Sequence, residues 1–207
     1  SPSATNTFTR TSALVNNDMV CVRSFWPFNF DGKMDEPSWG APLATSIGGP
    51  ATSSFGDYNH IDAIYIKSDP DYLFGGIAGN LGDNSGNRIL LFIDSKTGGY
   101  NNIGAWSSRS NSPCRSIENL NNGITFDSGF DPDYILAINQ ATGGLVYYDL
   151  YDMAGNSNNF LGTQISSSFL GFTASTGYTD YTDGFEFAIP LSALGSPVGN
   201  IKVFAMI

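Results

Sequence analysis

The chain has 207 residues, only 14% of them charged, and a formal net charge of −10 at pH 7. An acidic surface repels phosphate backbones, and no apolar run approaches the roughly 18 residues that a membrane span needs. These features argue against nucleic acid as a partner and against membrane insertion. The length suits a single β domain over residues 1–207, and 15 Phe and 10 Tyr provide bulky side chains for its core.

Short apolar or alternating runs, bounded by Gly, Asn, Asp and Pro, recur along the chain and predict strands. In chain order they cover residues 19–25, 61–67, 72–81, 88–94, 133–139, 145–152, 169–175, 185–190 and 201–207. A turn at 68–71, with Asp69 and Pro70, joins the second run to the third, and loop 83–87 joins the third to the fourth. These two connections predict a three-stranded meander.

The run 88–94 is apolar on both faces, so we expect it at the centre of a sheet with both sides covered. Residues 190–195 predict one helical turn that ends at Gly195. No longer segment has a helical period. The sequence therefore predicts an all-β fold, an antiparallel, jelly-roll-like β-sandwich with long loops and almost no helix.

The first residues and the two cysteines bear on the compartment. The chain opens on Ser1-Pro2-Ser3, as a secreted product does after its signal peptide is removed, although a trimmed chain would open in the same way. Cys21 and Cys114 have neither metal-ligand spacing nor a CxxC arrangement. We expect an extracellular or cell-surface protein with a long-range Cys21–Cys114 disulfide, two buried thiols being the alternative.

Aspartates cluster in the loops, where they serve either turn geometry or Ca²⁺ binding through oxygen ligands. The closest group comprises Asp127, Asp131 and Asp133. Two looser groups are Asp31 with Asp35, and Asp183 with its neighbours Asp180 and Glu186. None of them matches an EF-hand loop. The sequence predicts Ca²⁺ bound at one of these groups, with turn formation as the other reading of each aspartate.

Glycan binding needs exposed flat rings on which the C–H faces of sugars stack. Tyr100 and Trp106 lie in the long irregular segment 98–122, and Tyr178 and Tyr181 lie in a polar turn. These four rings are the predicted ligand-binding residues. The competing reading is that they pack over the backbone of their own loops.

Catalysis has little support in the sequence. His60 is the only histidine, and no G-x-S-x-G nucleophile turn accompanies it. A glycosidase needs two opposed carboxylates, and no segment isolates an acid in an apolar setting that would raise its pKa. We expect His60 to be a structural hydrogen-bonding residue and the protein not to be an enzyme.

Three segments in order carry a family resemblance: DGKMDEPSWG at 31–40, YLFGG at 72–76 followed by ILLFID at 89–94, and TDGFEFAIPLSAL at 182–194. Together they resemble the sandwich of family 9 carbohydrate-binding modules and DOMON-like domains. The resemblance implies a secreted β-sandwich, often stabilised by calcium, that binds glycans or a redox group or serves as a surface domain. In this setting Trp39 is expected to be buried.

The chain also resembles, more weakly, the copper-binding surface proteins of methanotrophs. Their metal site consists of a pair of histidines and an oxidised Trp. His60, as a lone histidine, departs from that pattern, and only a weak site with Tyr58 and Asp57 would remain.

Three hypotheses follow. The first is a non-catalytic, calcium-stabilised binding module for carbohydrate, with polysaccharide as the partner. The second is a structural subunit of an extracellular layer, fibre or tube, or an adhesin domain, that pairs with copies of itself through the terminal strand 201–207 and the stretch 1–10. The third is a surface copper-binding protein.

Overall fold

A computed structural model of the chain describes residues 28–46, 59–81, 88–105, 123–141, 145–153, 159–163 and 184–207. Its strands are β1 (Ala44–Thr45), β2 (His60–Ser68), β3 (Tyr72–Asn80), β4 (Arg88–Asp94), β5 (Tyr134–Ala141), β6 (Leu145–Asp152), β7 (Asn159–Thr163), β8 (Gly184–Pro190) and β9 (Lys202–Met206). They form a four-stranded sheet of order β1-β2-β3-β8 and a five-stranded sheet of order β7-β6-β5-β4-β9. Every pairing between these strands is antiparallel, so the all-β prediction is confirmed.

The turn between β2 and β3 forms as predicted from its sequence. Asp69 Oδ1 accepts hydrogen bonds from the backbone N–H of Asp71 at 2.8 Å and of Tyr72 at 2.7 Å. This side-chain turn, followed by an extended strand, brings β3 back along β2, with Ser68 opposite Leu73.

The predicted three-stranded meander is wrong. β3 pairs with β2 and β8, whereas β4 lies between β5 and β9 in the other sheet. A glycine in β3 accommodates a bulky side chain of β8. Gly75 lies opposite Phe187 and Gly76 opposite Glu186, and a Cβ added to Gly75 would come within 1.9 Å of the Phe187 ring. The Phe187 ring of β8 therefore occupies space that only a glycine at position 75 leaves open.

One core cluster draws its buried side chains from both sheets. Its members include Leu73 and Ile77 of β3, Phe185, Phe187 and Ile189 of β8, Ile89, Leu91 and Ile93 of β4, Leu136 and Ile138 of β5, and Leu150 of β6. The inner faces of the two sheets therefore share one hydrophobic core, which is the main stabilising contact of the fold.

β4 is buried on both faces, as its sequence predicts. Ile89, Leu91 and Ile93 face the shared core, while Leu90 and Phe92 belong to a second cluster on the opposite face of the same sheet. Residues of the segments 100–103 and 124–130 cover that outer face. A strand with both sides covered reads as a continuous apolar run, which is why its position could be predicted.

The outer face of the four-stranded sheet is covered by residues 28–39. Phe28, Met34 and Trp39 pack there against Tyr65 and Phe74. Trp39 has no exposed surface, which confirms the expectation that it is buried. Its ring lies 4.0 Å from that of Phe28, centroid to centroid.

Helical structure in the described residues is limited to two short 3-10 turns, Ile103–Ala105 and Leu191–Leu194. The second confirms the predicted turn after β8, and it ends at Gly195, whose φ of +76° is left-handed. Within the same residues, no helix has the length and apolarity required to cross a membrane. The predicted strands at 19–25 and 169–175 lie outside the described residues.

Candidate binding cleft

A cleft of about 620 Å³ opens at one end of the five-stranded sheet, where β4 ends and β9 begins. Its charged and amide side chains are Asp94, Lys96, Asp131, Asn200 and Lys202, and hydroxyl side chains and glycines provide much of the remaining wall. We call it the end cleft. Its volume is within the range of roughly 300–1,000 Å³ that is typical of small-ligand sites.

Asp133 fixes the chain where it leaves β4. Its Oδ2 accepts hydrogen bonds from the backbone N–H of Ser95 and of Lys96, each at 2.9 Å, and its side chain is fully buried. Ser95 Oγ in turn donates to the carbonyl of Leu194 at 3.1 Å. These bonds hold the floor of the end cleft in one conformation and tie it to the 3-10 turn after β8.

Lys202 and Asp94 face each other across the β4–β9 pair. They are direct register partners, and Lys202 Nζ lies 3.1 Å from Asp94 Oδ2. Lys202 Nζ also donates to the carbonyl of Gly129, and Asp94 Oδ2 accepts from the Asp131 N–H at 3.4 Å. The two loops that border the cleft are therefore joined through this ion pair.

Lys96 is held by groups of the neighbouring strands. Its Nζ donates to Tyr134 Oη at 2.7 Å, lies 4.5 Å from the centre of the Tyr134 ring, and is 4.0 Å from Asp152 Oδ1. Burial lowers the pKa of Lys96, but the hydrogen bond to Tyr134 and the carboxylates of Asp152 and Asp133 outweigh it, so the net pKa is raised. Lys96 is therefore a fixed, charged donor at the cleft wall.

A smaller cleft of about 430 Å³ adjoins the end cleft. It is lined by Asp71, Tyr72, Pro190 and Ser192, and it shares Ser196 and Pro197 with its larger neighbour. Tyr72 is half-buried and stands 6.0 Å from the Phe74 ring, centroid to centroid. It provides the aromatic surface beside these clefts.

Glu186 contradicts the expectation that no acid sits in an apolar setting. Its side chain is fully buried among the residues under segment 28–39. Oε2 accepts from the N–H groups of Asp31 at 2.9 Å and Gly32 at 2.8 Å, and Oε1 accepts from Trp39 Nε1 at 3.1 Å. The pKa of Glu186 is raised to about 7, chiefly by burial and also by the charge of nearby Glu36. The three N–H donors lower the pKa and offset part of this rise.

This arrangement explains two of the three segments that carry the family resemblance, the first and the last. The Gly184 N–H donates to the Gly32 carbonyl at 2.8 Å, while the Gly32 N–H donates to Glu186. The early Asp31-Gly32 segment and the late Gly184-Phe185-Glu186 segment are therefore directly bonded, and Trp39 completes the contact. In this chain the residues of these segments hold the covering segment 28–39 against the four-stranded sheet through hydrogen bonds.

Among the residues that the structure describes, Asp127, Asp131 and Asp133 differ in exposure and in hydrogen bonding. Asp127 is exposed, Asp131 is half-buried, and Asp133 is fully buried with Oδ2 bonded to backbone N–H groups. In the part of the chain that the structure describes, no three His, Cys, Asp or Glu side chains lie close enough together to hold a metal ion. Calcium binding at these aspartates stays a prediction.

The looser acidic pair is likewise engaged in local structure. Asp31 and Asp35 are both exposed, and Asp31 accepts from Asn29 Nδ2 at 3.0 Å and from the Lys33 N–H at 3.1 Å. This is turn chemistry, the alternative reading of the aspartates. Asp183 lies outside the described residues.

Of the four predicted ligand-binding rings, the structure describes Tyr100. It is half-buried, packs against the outer cluster of the five-stranded sheet, and its N–H donates to the Pro132 carbonyl at 3.0 Å. It does not line either cleft. Trp106, Tyr178 and Tyr181 lie outside the described residues, as do Cys21 and Cys114 of the predicted disulfide.

His60 opens β2 and is buried, with Nε2 at 3.2 Å from Asp62 Oδ2. A buried imidazole paired with a carboxylate of the same strand fits the structural role that its sequence position suggests. Tyr58 and Asp57, its companions in the copper hypothesis, lie outside the described residues.

Sequence reasoning missed Lys96, Asn200 and Lys202 as cleft residues. The sequence contained an indication of Lys202, because the family-like segment 89–94 ends in Asp94 and a carboxylate at the end of a buried strand needs a cationic or hydrogen-bonding partner. The partner is Lys202, 108 positions away, so the β4–β9 register had to be known.

No family model, no curated protein and no solved structure matches this chain. The family resemblance drawn from its three segments is therefore left untested by these comparisons.

Proposed function

We propose that the protein is a non-catalytic, extracellular carbohydrate-binding domain, and that the end cleft binds the sugar. The observation that supports this most is the lining of the cleft, which sets two carboxylates, two ammonium groups and one amide around a space of about 620 Å³.

The mixed charge of the lining points to a class of ligand. A phosphate or sulfate is best held by donors alone, and a metal ion by oxygen ligands alone. Asp94 and Asp131 provide acceptors, Lys96 and Lys202 provide donors, and Asn200 provides both. A hydroxyl group both donates and accepts, so a neutral polyhydroxylated molecule matches this lining.

The polar groups are also held in place before any ligand arrives. Lys202 is fixed by Asp94 and Gly129, and Lys96 by Tyr134. Side chains already held in one rotamer lose less conformational entropy on binding, which favours affinity for a ligand with few apolar atoms. The half-buried ring of Tyr72 in the adjoining cleft provides a surface for one sugar face.

A glycan array followed by calorimetric titration of the best ligand tests the proposal. We expect Asn200→Ala and Asp131→Asn to weaken binding at least about tenfold, since each removes hydrogen bonds to the ligand worth about 1.4 kcal/mol. Asp35→Asn is the matched control, because Asp35 is exposed on the covering segment and lies in neither cleft. An array without any hit, or variants that bind like the parent, would refute the proposal.

The aromatic residues predicted from the sequence provide a second set of variants. If Trp106→Ala or Tyr181→Ala abolishes binding while Asn200→Ala does not, the sugar is held by the long loop and not by the end cleft. The same titrations should leave the glycan uncleaved, and the appearance of new reducing ends would contradict the non-catalytic assignment.

A further inference from the structure

Three of the four outermost strands, β1, β8 and β9, differ sharply in how well they are protected. β1 has only two residues, and every residue of β8 before Pro190 is buried. β9 has five residues, each partly or fully exposed, and includes Phe204 with 42% of its surface exposed. It pairs with β4 on one side, and no other described strand pairs with its outer edge.

An exposed edge of this kind is a template for another strand. Natural edges are commonly protected by a charged side chain, and the charge of β9 resides on Lys202 alone. That charge is already matched by Asp94 of the same chain at 3.1 Å. The remaining residues, Val203 to Met206, are apolar, so they are best matched by a strand that presents apolar side chains opposite them.

We propose that β9 joins two copies of this chain as an antiparallel, two-fold dimer centred on Phe204. In that register each Phe204 lies opposite the other, Val203 opposite Ala205, and Lys202 opposite Met206. No like charges face each other, and the three central positions, Val203 to Ala205, pair apolar side chains with apolar side chains. Closed two-fold pairing through one self-complementary strand is the simplest symmetric assembly.

The aromatic side chains around Phe204 also favour a second copy of β9 as the partner strand. Its ring stands 5.7 Å from that of Phe126, 6.5 Å from Phe130 and 6.2 Å from Phe92, centroid to centroid. A second Phe204 extends this cluster across the two-fold axis and removes the exposed ring from water. Cross-strand aromatic pairs are among the more stabilising contacts in antiparallel sheets.

The net charge of the chain predicts how dimerisation should depend on salt concentration. Each copy carries a net charge of −10, so the two copies repel each other while their apolar strands attract. Added salt screens the repulsion and leaves strand pairing intact. The dimer should therefore strengthen as sodium chloride rises, whereas association through ion pairs would weaken.

Sedimentation equilibrium over a concentration series at low and high sodium chloride tests the proposal. We expect a monomer–dimer equilibrium whose dissociation constant falls severalfold with salt and rises at least about tenfold in Phe204→Lys. Leu43→Lys is the matched control, because Leu43 is an exposed apolar residue away from β9, with 63% of its surface exposed. Circular dichroism would establish that both variants fold.

A second variant keeps the test decisive if Phe204→Lys fails to fold. In Phe204→Cys the two new thiols face each other across the axis, so oxidation should give a covalent dimer on a denaturing gel, whereas Leu43→Cys should not. A protein that remains monomeric at every concentration and salt, a dimer indifferent to Phe204→Lys, or open-ended growth into filaments would each overturn the two-fold β9 pairing.

Discussion

The protonation of Glu186 should control how firmly residues 28–39 are held on the four-stranded sheet. Burial raises the pKa of Glu186 to about 7 from an ordinary 4.5. Because the folded-state pKa is the higher one, the folded protein keeps a proton that the unfolded chain loses. Its stabilising contribution is therefore complete below pH 4.5 and is lost as the pH rises to 7.

The magnitude follows from the two pKa values. The free energy of unfolding falls by about 1.4 kcal/mol for each pH unit between them, which gives at most about 3 kcal/mol. Relaxation of the covering segment around the ionised carboxylate offsets part of this effect, so we expect a loss of about 2 kcal/mol. The three N–H groups that bond to Glu186 are already included in its pKa.

Urea denaturation of the parent and of Glu186→Gln, from pH 4.5 to 8 at constant ionic strength, measures this loss. The amide does not titrate, so the stability of Glu186→Gln relative to the parent should improve by about 2 kcal/mol between these pH limits. At low pH the variant should be the less stable one, because its amide nitrogen cannot accept the hydrogen bond of Trp39.

Glu36→Gln is the informative control for the same experiment. Glu36 raises the pKa of Glu186 through charge repulsion, so its neutral replacement should move the loss of stability to lower pH. Parallel pH profiles for the parent and Glu186→Gln would refute the reasoning, because they would mean that Glu186 titrates alike in the folded and unfolded protein.

Two further predictions concern stability. Gly75→Ala should lower the free energy of unfolding by about 3 kcal/mol in urea denaturation, because its Cβ would clash with the Phe187 ring in the shared core. Gly199→Ala, where an added Cβ meets no described atom within 4 Å, should change it little, and equal losses in both variants would contradict the packing argument. If calcium stabilises the fold as the family resemblance implies, chelation should lower the melting temperature and added Ca²⁺ should restore it, with Asp127→Asn and Asp131→Asn reducing the effect. A melting temperature unchanged by chelator and by Ca²⁺ would remove calcium from the proposal.

Most strands could be predicted because their side-chain pattern is local. β4 and β6 occupy the residues predicted for them, and β2, β3, β5, β8 and β9 differ by a residue or two at their ends. β1 and β7 were missed, since two residues carry no pattern and Asn159–Thr163 lacks a clear alternation. The predicted meander was wrong for a different reason. The sequence of the loop between β3 and β4 does not determine whether β4 pairs in the same sheet or crosses to the other one.

Glu186 shows why a buried charge is hard to infer from sequence. Along β8, the alternation of Phe185, Glu186 and Phe187 suggests one buried and one exposed face. The structure covers both faces, because Trp39 and Met34 of a distant segment close over the second one. The acid becomes buried through a segment about 150 positions earlier in the chain, as its bond to the Gly32 N–H shows.

The end cleft and the Glu186 contact follow from the same property of the fold. In both, a residue at a strand bonds to a segment far away in the chain, Asp94 to Lys202 and Glu186 to Gly32. Around Glu186 the N–H donors are satisfied by the acid itself and the covering segment leaves no room, so the contact is structural. Around Asp94 the paired charges border open space, where hydrogen-bonding groups still face solvent. That difference in access, and not the residue types, is why we place ligand binding at the end cleft and fold stabilisation at Glu186.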